Sequence, residues 1–533
     1  MKYITLVSCL SLFSLYSQGV TFPNEPPQFV ENTILNVPEE YLSIQIALNA
    51  AESGDTILVQ PGTYIENIIW PETNGIKLIS AGDSSNTIID GGGVSSVIYM
   101  NPQSATIDTT TLIKGFKITN GGNFENGSGI YINNSSLILD GVLITGNSDV
   151  AFYVSNSNKI IFKNSSVIGN DGGNEWNSIV FAVYFEDNSS IVINNSQIKN
   201  NLGGSWFGNN SSIFITNTSY GYNLFPMRIS SCNNLEISNS TFNYNQNAEG
   251  DGGGLICFNS TGRIYNSNIS YNTVNGSSSG GTREGGGAWL SGSIQLLNSE
   301  IRGNKIITSG ASQGKGGGLF ITGGVTIDSS VIISNEVTIN TDFCWSGGGG
   351  ICIQGTATVS NSKIINNTSN GNGGGILVSS TGSQVDISKS IISGNIATGN
   401  GGGISNRGTL NAVSLTISKN NGFNGGGIFA CNGILDLING TIYSNKSEGS
   451  GSSVYVDDGT ITMSYSNSSN ESLSINNSTP DWITLINNYW GNPSGPYHPT
   501  QNPTGLGDSV NTFVNIDPWL TTPNTDAPPI PAQ

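Results

Sequence analysis

Short runs of alternating apolar residues recur along most of the chain. Examples are Ile130-Tyr131-Ile132, Leu319-Phe320-Ile321 and Ile351-Cys352-Ile353. Alternation over three to five residues is typical of short strands with one buried face. Gly and Asn lie between the runs, and both tolerate the left-handed backbone angles that tight corners need. The pattern therefore predicts units built from several short strands joined by turns.

Two recurring marks show that these units form a repeat. Triplets of glycine followed by an apolar residue begin at Gly252, Gly285, Gly316, Gly348, Gly373, Gly401 and Gly425. A second pattern, Asn-Ser-x-Ile-x-x-Asn with variants, ends in one asparagine per unit, about 27 residues apart on average. These asparagines are Asn147, Asn170, Asn201, Asn223, Asn245, Asn272, Asn304, Asn335, Asn367, Asn395, Asn420 and Asn445. Repetition at this period is the signature of a solenoid.

The repeat predicts an all-β protein, a single-stranded right-handed parallel β-helix with a short N-terminal capping helix. One unit cannot bury its apolar face alone, whereas stacked units share a continuous core. Coils would lie about 4.8 Å apart, which for roughly 16 coils gives a rod about 75 Å long. Asparagines at one corner of every coil would pass amide hydrogen bonds along the stack. We therefore expect the twelve asparagines to be a structural ladder.

Both ends of such a rod need covers, because exposed strands would pair with other chains. The amphipathic segment Tyr41–Ala51 predicts a capping helix just before a first strand, Thr56–Val59. The predicted divisions are a signal peptide (1–19), an N-terminal extension (20–32), the β-helix with its N-terminal cap (33–486), a C-terminal cap (487–520) and a Pro-rich, linker-like tail (521–533).

The N-terminus predicts export. Lys2 precedes an apolar run too short to span a bilayer, with small residues suited to cleavage after Gly19. A lipoprotein cleavage box ending at Cys9 is the alternative. We expect a secreted or extracellular protein, with attachment to the cell surface open. The remaining five cysteines predict buried thiols rather than a disulfide framework.

The net charge of the chain limits which classes of partner it can bind. The net charge of −18 argues against nucleic acid and anionic membranes. Scattered acids would either hold Ca²⁺ or only form a solvated surface, and we expect no metal site or other cofactor. No further segment is long enough to cross a membrane as a helix. The expected partner is a polysaccharide or the surface of a host or neighbouring cell, and the expected state is a monomer.

Three stretches carry a resemblance to known proteins. The segment from Val37 to Asn67 resembles the opening of pectin-lyase-like β-helix proteins. The glycine triplets and Ser-x-Ile-x-x-Asn repeats resemble those of polymorphic outer membrane proteins and related bacterial surface proteins. The stretch Asn488–Pro496 with Pro518–Leu520 is similar to the closing segment of such repeats. The resemblance implies the fold but no single function, because the fold hosts lyases, hydrolases, esterases and adhesins.

Catalytic patterns of the resembled enzymes are mostly missing. Polygalacturonase-like hydrolases need an Asn-Thr-Asp triplet, an Asp pair and a Gly-His-Gly triplet on neighbouring coils. Here Asn340–Asp342 and Asp457-Asp458 would lie several coils apart, too far to flank one glycosidic bond. The one histidine, His498, lies in the C-terminal cap. Arg283-Glu284, in a Gly/Ser-rich loop, is either part of a lyase site or a solvated ion pair.

The residue directly after each glycine triplet is expected to point into the core, so the next residue should point outward. This predicts an outward aromatic stripe of Tyr131, Tyr153, Tyr184, Trp289, Phe320, Phe429 and Tyr455. An exposed apolar stripe usually marks an interaction site. The alternative is that these rings only stack on one another and stiffen the sheet. We therefore expect a binding or adhesion module, with polysaccharide as the candidate ligand. A polysaccharide lyase is the alternative, and no catalytic residue is assigned.

Overall fold

A computed structural model describes residues 32–122, 128–176, 179–248, 250–276, 281–309, 312–340, 346–469 and 474–530. Its chain winds as a right-handed parallel β-helix, as the sequence predicts. Each coil contributes a strand to sheet 1, sheet 2 and sheet 3 in turn, and eight coils add a strand to sheet 4. Nearly every pairing is parallel, because each strand pairs with its equivalents in the coils before and after it.

The strands of sheet 1 are Ile68–Ile69, Ile98–Met100, Ile130–Asn133, Phe152–Ser155, Ile179–Glu186, Gly204–Gly208, Met227–Ser230, Leu255–Tyr265, Ala288–Leu297, Leu319–Ile321, Ile351–Ile353, Ile376–Val378, Ile404–Asn406, Ile428–Cys431, Val454–Asp457 and Ile475–Asn477. The strands Leu255–Tyr265 and Ala288–Leu297 continue into sheet 2. The other strands of sheet 2 are Ile34–Val37, Thr56–Val59, Lys77–Ser80, Leu112–Lys114, Leu137–Asp140, Ile160–Lys163, Ser190–Asn194, Ser212–Thr216, Asn234–Ser238, Gly324–Asp328, Thr356–Ser360, Gln384–Ser388, Thr409–Val413, Ile434–Ile438, Thr460–Ser464, Ile483–Thr484 and Val514–Asn515.

Sheet 3 has 16 strands. They are Gly62–Ile65, Thr87–Asp90, Lys117–Thr119, Leu143–Thr145, Ser166–Ile168, Gln197–Lys199, Ser219–Gly221, Thr241–Asn243, Asn268–Ser270, Glu300–Arg302, Val331–Ile333, Lys363–Ile365, Ile391–Ser393, Thr416–Ser418, Thr441–Tyr443 and Asn467–Ser469. Sheet 4 consists of Gln246–Asn247, Thr273–Gly276, Lys305–Thr308, Glu336–Thr338, Thr368–Ser369, Ile396–Ala397, Asn421–Gly422 and Lys446–Ser447. Gly173–Trp176 pairs antiparallel with Ile179–Glu186, Gly281–Glu284 pairs with Ser312–Lys315, and Pro496–Tyr497 pairs with Gly507–Ser509.

The core is a continuous file of aliphatic and aromatic side chains inside the coils. In sheet 3, for example, Ile301, Ile332 and Ile364 lie in register and are all buried. The same core cluster extends from Leu35 to Ile516. Burying each such side chain contributes about 1.5–3 kcal/mol, so the alternation of apolar and polar residues fixes which way each strand faces.

The N-terminal cap contains the predicted helix with shorter bounds, Ile44–Ala50. The hydroxyl of Ser43 caps it by accepting from the backbone N–H of Ile46, at 3.2 Å. The strand Ile34–Val37 precedes the helix and pairs with Thr56–Val59, so the predicted first strand is the second. The apolar pattern of Ile34–Val37 is short and is followed directly by a proline, so it shows no strand periodicity in the sequence. No helix within the described ranges is long and apolar enough to cross a membrane.

The Pro-rich tail lies against the rod as far as residue 530. The backbone N–H of Asn524 donates to Oδ1 of Asn467 at 2.8 Å, and Nδ2 of Asn467 donates back to the Asn524 carbonyl at 3.0 Å. The Thr441 hydroxyl donates to the carbonyl of Pro528. Residues 521–530 are therefore docked beside sheet 3 rather than extended as a linker.

Candidate functional site

The twelve marked asparagines form one buried file at the corner after sheet 3. Within it, Nδ2 of each of the first eleven donates to Oδ1 of the asparagine in the next coil, at 2.9–3.2 Å. The same oxygen also accepts the backbone N–H of the preceding asparagine, as between Asn272 and Asn304 at 3.0 Å. All twelve are nearly inaccessible to solvent. This ladder fixes the rotation of each coil on the next and thereby positions the outer faces.

The glycine triplets pack directly on this ladder, which explains why the two marks occur together. The first glycine turns the chain, as at Gly316 with φ of +73°. A Cβ on the third glycine would meet the ladder: on Gly318 it would lie 2.9 Å from Nδ2 of Asn335 and 2.6 Å from the carbonyl oxygen of Gly350. Successive triplets also bond to each other, since Gly317 N–H donates to the Gly348 carbonyl at 3.0 Å.

The outer face of sheet 1 carries one column of side chains in continuous register, hereafter the sheet-1 column. Its members are Tyr99, Tyr131, Tyr153, Tyr184, Trp206, Arg228, Ile256, Trp289, Phe320, Cys352, Leu377, Ser405, Phe429 and Tyr455. The structure thus brings the seven residues of the predicted stripe into one file, together with residues that the sequence pattern missed.

The first part of the column is a stack of half-buried aromatic rings. The centroids of Tyr99 and Tyr131 are 4.9 Å apart, those of Tyr131 and Tyr153 are 5.0 Å apart, and those of Tyr153 and Tyr184 are 5.3 Å apart. Trp206 extends the stack at 6.4 Å. Because the rings lie nearly parallel, their faces are occupied by one another. The hydroxyl of Tyr184 donates to Glu186 at 2.9 Å and that of Tyr99 accepts from Nδ2 of Asn101 at 3.1 Å, so the ring edges are the surface that the stack presents.

The middle of the column contradicts the prediction of a continuous exposed stripe. Phe320 is fully buried with Cys352 and Leu377, and Trp289 packs against this cluster. Phe429 is only 6% exposed. Alternation predicted the direction of these side chains correctly, but neighbouring side chains cover them, as Lys315 does over the ring of Phe320. Exposure depends on those neighbours as well as on alternation.

A cluster of charged side chains adjoins the column where the aromatic stack ends. Arg228 occupies the column position after Trp206, and Asp251 accepts the backbone N–H of Glu284 at 3.0 Å. Nζ of Lys315 lies 3.7 Å from a carboxylate oxygen of Glu284, with both side chains less than one-fifth exposed. Lys315 also lies over the ring of Phe320. These residues come from successive coils and adjacent loops, so the fold brings cations and carboxylates together.

Burial dominates the electrostatics of this cluster. Burial and, after it, the nearby charge of Asp251 together raise the pKa of Glu284 to about 7, against the opposing effect of Lys315. Burial also raises the pKa of Asp251, despite the attraction of Arg228, Arg283 and Lys315. The pKa of the Arg228 guanidinium is lowered by burial, and its Nε has no hydrogen-bond partner. Groups with such shifts are candidates for chemistry or ligand binding.

Other residues considered from sequence lie elsewhere. His498 is buried in the C-terminal cap, where Nδ1 accepts the backbone N–H groups of Thr500 and Gln501. Asp457-Asp458 lies at the C-terminal end of sheet 1. Thr341 and Asp342 of the Asn-Thr-Asp triplet lie outside the described residues. Cys344 and the predicted signal peptide (1–19) lie outside them as well. The described cysteines, Cys232, Cys257, Cys352 and Cys431, are all free thiols. Within the described ranges, no three His, Cys, Asp or Glu residues converge as metal ligands.

Sequence reasoning missed Tyr99, Arg228, Asp251 and Lys315. Tyr99 lies six residues after the triplet Gly91–Gly93, whereas Phe320 lies two residues after its own triplet, and no triplet precedes the strand of Arg228. Asp251 and Lys315 stand just before triplets, at Gly252 and Gly316, and so they mark the same loop edge as Glu284 before Gly285. A charged residue directly before a triplet was the available signal.

No protein-family model matches this chain, and no curated protein matches it. Among solved structures it is similar to the pectate lyase Pel9A, at 14% identity over 80% of this chain and 78% of that chain, with a TM-score of 0.20. It is similar to the catalytic unit of a GH87 α-1,3-glucanase from Streptomyces thermodiastaticus, at 12% identity over 89% of this chain and 65% of that chain, with a TM-score of 0.21. It is also similar to the A-module of the mannuronan C-5 epimerase AlgE6 from Azotobacter vinelandii, at 12% identity over 89% and 93%, with a TM-score of 0.16.

At these TM-scores the likenesses carry no argument about function. The right-handed parallel β-helix fold of this chain follows from its own coil topology, in which each strand pairs with its equivalents in the neighbouring coils.

Proposed function

We propose that this protein binds polysaccharide along the outer face of sheet 1 and acts as a secreted or cell-surface binding module. The observation that carries the proposal is the stack from Tyr99 to Trp206, a row of half-buried aromatic side chains that repeats once per coil. Contiguous aromatic surface of this kind usually marks an interaction site. The net charge of −18 supports a ligand other than nucleic acid.

The geometry favours a ligand that runs along the rod. Coils repeat at about 4.8 Å, which is close to the length of one sugar residue in an extended polysaccharide. Ring faces are occupied by stacking, so each tyrosine offers its ring edge to one sugar residue. Next to the rings, Asn101, Asn133 and Ser155 form a hydrogen-bonded polar row that can add contacts to sugar hydroxyls.

The test replaces Tyr131 and Tyr153 by serine, the residue that Ser405 places in the same column. Binding is measured on an array of acidic glycans, because Arg228 follows Trp206 in the column and Lys315 lies over the ring of Phe320, and we expect the double variant to lose binding at least tenfold. Phe423→Ser, at an exposed aromatic residue outside the column, is the control and should bind normally. Equal binding by the double variant and the control would rule out the column as the glycan site. Phe320 is unsuitable for this test, because truncating a buried ring opens a cavity costing about 3–5 kcal/mol.

The charged cluster supports a second candidate, a polysaccharide lyase acting on uronate polymers. Such a reaction needs a base to take the proton beside the uronate carboxylate, while the glycosidic C–O bond breaks and a carbon–carbon double bond forms. The charge of Arg228, whose pKa is lowered by burial, attracts that of Asp251. Asp251 in turn attracts Lys315, which lies 3.7 Å from Glu284, so a base and carboxylates converge here.

The lyase candidate is tested by absorbance of the unsaturated product after incubation with polygalacturonate or alginate, with and without Ca²⁺. We expect product from the wild type and none from Arg228→Met, with Arg263→Met as a control at an exposed ion pair. Absence of product from the wild type on both polymers would reject this candidate and leave the binding proposal standing.

A further inference from the structure

A second file of aromatic rings lies at the corner where sheet 3 ends, just before the asparagine ladder. Tyr222, Tyr244 and Tyr271 stack with centroids 4.9 and 5.1 Å apart and ring planes 13° apart. They are 55%, 43% and 45% exposed, and the neighbouring Leu202 and Leu224 are exposed as well. This corner file lies on a different side of the coil from the sheet-1 column.

The backbone at these three positions is unusual for aromatic residues. Their φ angles are +57°, +55° and +55°, in the left-handed region that bulky side chains avoid. The equivalent corner in other coils holds Gly146, Gly169, Asn200, Gly303, Ser334, Asn366, Gly394, Lys419 and Ser444. The corner thus needs a residue with a left-handed backbone but does not need an aromatic ring, and each tyrosine holds a conformation that is unfavourable for a bulky side chain. Strain of this kind is typical of functional positions.

The surroundings of the corner file are rich in hydroxyl and amide groups, and the one charged side chain that interacts with its described rings, Arg302 beside Tyr271, is paired with Glu300. The adjoining sheet 3 strands, Ser219–Gly221, Thr241–Asn243 and Asn268–Ser270, contain no charged residue. Ring faces are covered by stacking, with Tyr271 lying over Gly303, so hydroxyl groups and ring edges face solvent once per coil. Such a row is suited to an uncharged, hydroxyl-rich polymer.

The distance between successive tyrosines favours some extended polymers over others as the ligand. One coil is about 4.8 Å, whereas a peptide strand advances about 3.3 Å per residue and would lose register with the tyrosines. A second copy of this chain would bring another −18 charges, which disfavours close association. An extended polysaccharide chain offers hydroxyl groups at nearly the coil repeat.

We propose that the corner file is a second glycan site, which binds an extended neutral polysaccharide running parallel to the rod. The inference rests on the proposed function for its ligand class, but it uses other residues on another side. With both sites occupied, one rod bridges two polysaccharide chains.

The test replaces Tyr222, Tyr244 and Tyr271 together by asparagine. Asn200 and Asn366 already occupy this corner, and asparagine tolerates the left-handed backbone, so the variant should fold. A second variant with three Tyr→Phe changes removes the hydroxyl groups only. Tyr465→Asn is the matched control, because Tyr465 is also left-handed and 49% exposed but lies outside the file.

Binding is measured on an array of neutral β-linked glucan, mannan and xylan oligosaccharides of increasing length. At about fivefold per hydroxyl hydrogen bond, we expect both triple variants to bind about 100-fold more weakly than the wild type. The Tyr465→Asn control and the Tyr131→Ser/Tyr153→Ser variant should keep this binding through the corner file. Far-UV circular dichroism should match the wild type throughout.

The outcomes separate this inference from the proposed function. If the triple asparagine variant binds like the wild type, or the wild type binds no neutral glycan, the corner site is overturned. A loss of glycan binding confined to the Tyr131→Ser/Tyr153→Ser variant would overturn it too, yet would uphold the sheet-1 site. Loss confined to the corner variants would uphold the inference and refute the sheet-1 site.

Discussion

Replacing Asn304 by alanine tests whether the asparagine ladder stabilises the rod. Its Oδ1 accepts from the backbone N–H of Asn272 at 3.0 Å and from Nδ2 of Asn272 at 2.9 Å. Its Nδ2 donates to the Ile269 carbonyl and to Oδ1 of Asn335, both at 2.9 Å. Alanine removes these four buried hydrogen bonds at once.

The expected loss of stability depends on which of the affected groups keep another hydrogen-bond partner. Oδ1 of Asn335 still accepts the backbone N–H of residue 304, and Nδ2 of Asn272 still donates to the Phe242 carbonyl. The Asn272 backbone N–H and one of its amide hydrogens lose their acceptor. A buried unsatisfied group costs about 1–3 kcal/mol, so we expect a loss of about 2–6 kcal/mol in the free energy of unfolding. Most single substitutions cost nearer 1 kcal/mol.

Urea unfolding followed by tryptophan fluorescence gives the overall loss, and amide hydrogen exchange locates it. In a solenoid each coil contacts only its neighbours, so protection should fall around Asn272 and Asn304 and persist in the first coils. Asn411→Ala is the control, because the exposed Asn411 makes only a surface hydrogen bond to Asp386, at 2.8 Å. Equal unfolding midpoints for Asn304→Ala and Asn411→Ala would refute a stabilising ladder.

Three further predictions concern the packing and charges of the rod. Gly318→Ala should destabilise the protein by about 1–3 kcal/mol, because its Cβ would press on Asn335 and Gly350, whereas Gly382→Ala, in open space, should be neutral in the same urea titration. Because burial raises the pKa of Glu284 from 4.5 to about 7, its stabilising contribution is complete below pH 4.5 and is lost as the pH rises through about 7. Thermal melting of Glu284→Gln should therefore depend less on pH across that window, and an unchanged dependence would contradict the assignment. Burial raises the pKa of the Cys257 thiol and raises that of Cys352 to about 12, so peptide mapping after iodoacetamide should find Cys431 modified well before either, and prompt labelling of Cys352 would contradict its burial.

The fold could be predicted because its cause is local and repeated. Alternation in runs such as Leu319–Ile321 sets which side chains enter the core, and left-handed corners follow from Asn and Gly. The single period then leaves stacking as the way to bury every face. Near its N-terminal end the period is absent, and there the strand Ile34–Val37 was missed.

The candidate site was only partly predictable, because exposure and charge pairing depend on loops that the repeat does not fix. Alternation placed Phe320 on the outside of sheet 1, but the loop containing Lys315 covers it. Asp251, Glu284 and Lys315 belong to three coils and meet only because their triplets stack. The spacing of the repeats predicts that the coils stack. It does not predict the conformation of each loop or the direction of the loop's side chains.

The positions that interrupt the repeat are therefore the most informative about function. Inside the rod, a substitution that breaks the repeat destabilises the fold, because each ladder asparagine and each third glycine contacts its neighbours in two coils. At outer positions the repeat accepts small residues, as Ser405 in the column and Gly303 at the corner show. Arg228 and the three left-handed tyrosines bring burial or backbone strain to positions where a small residue would relieve it. Selection for stability alone would replace them, so their presence favours a ligand at both places.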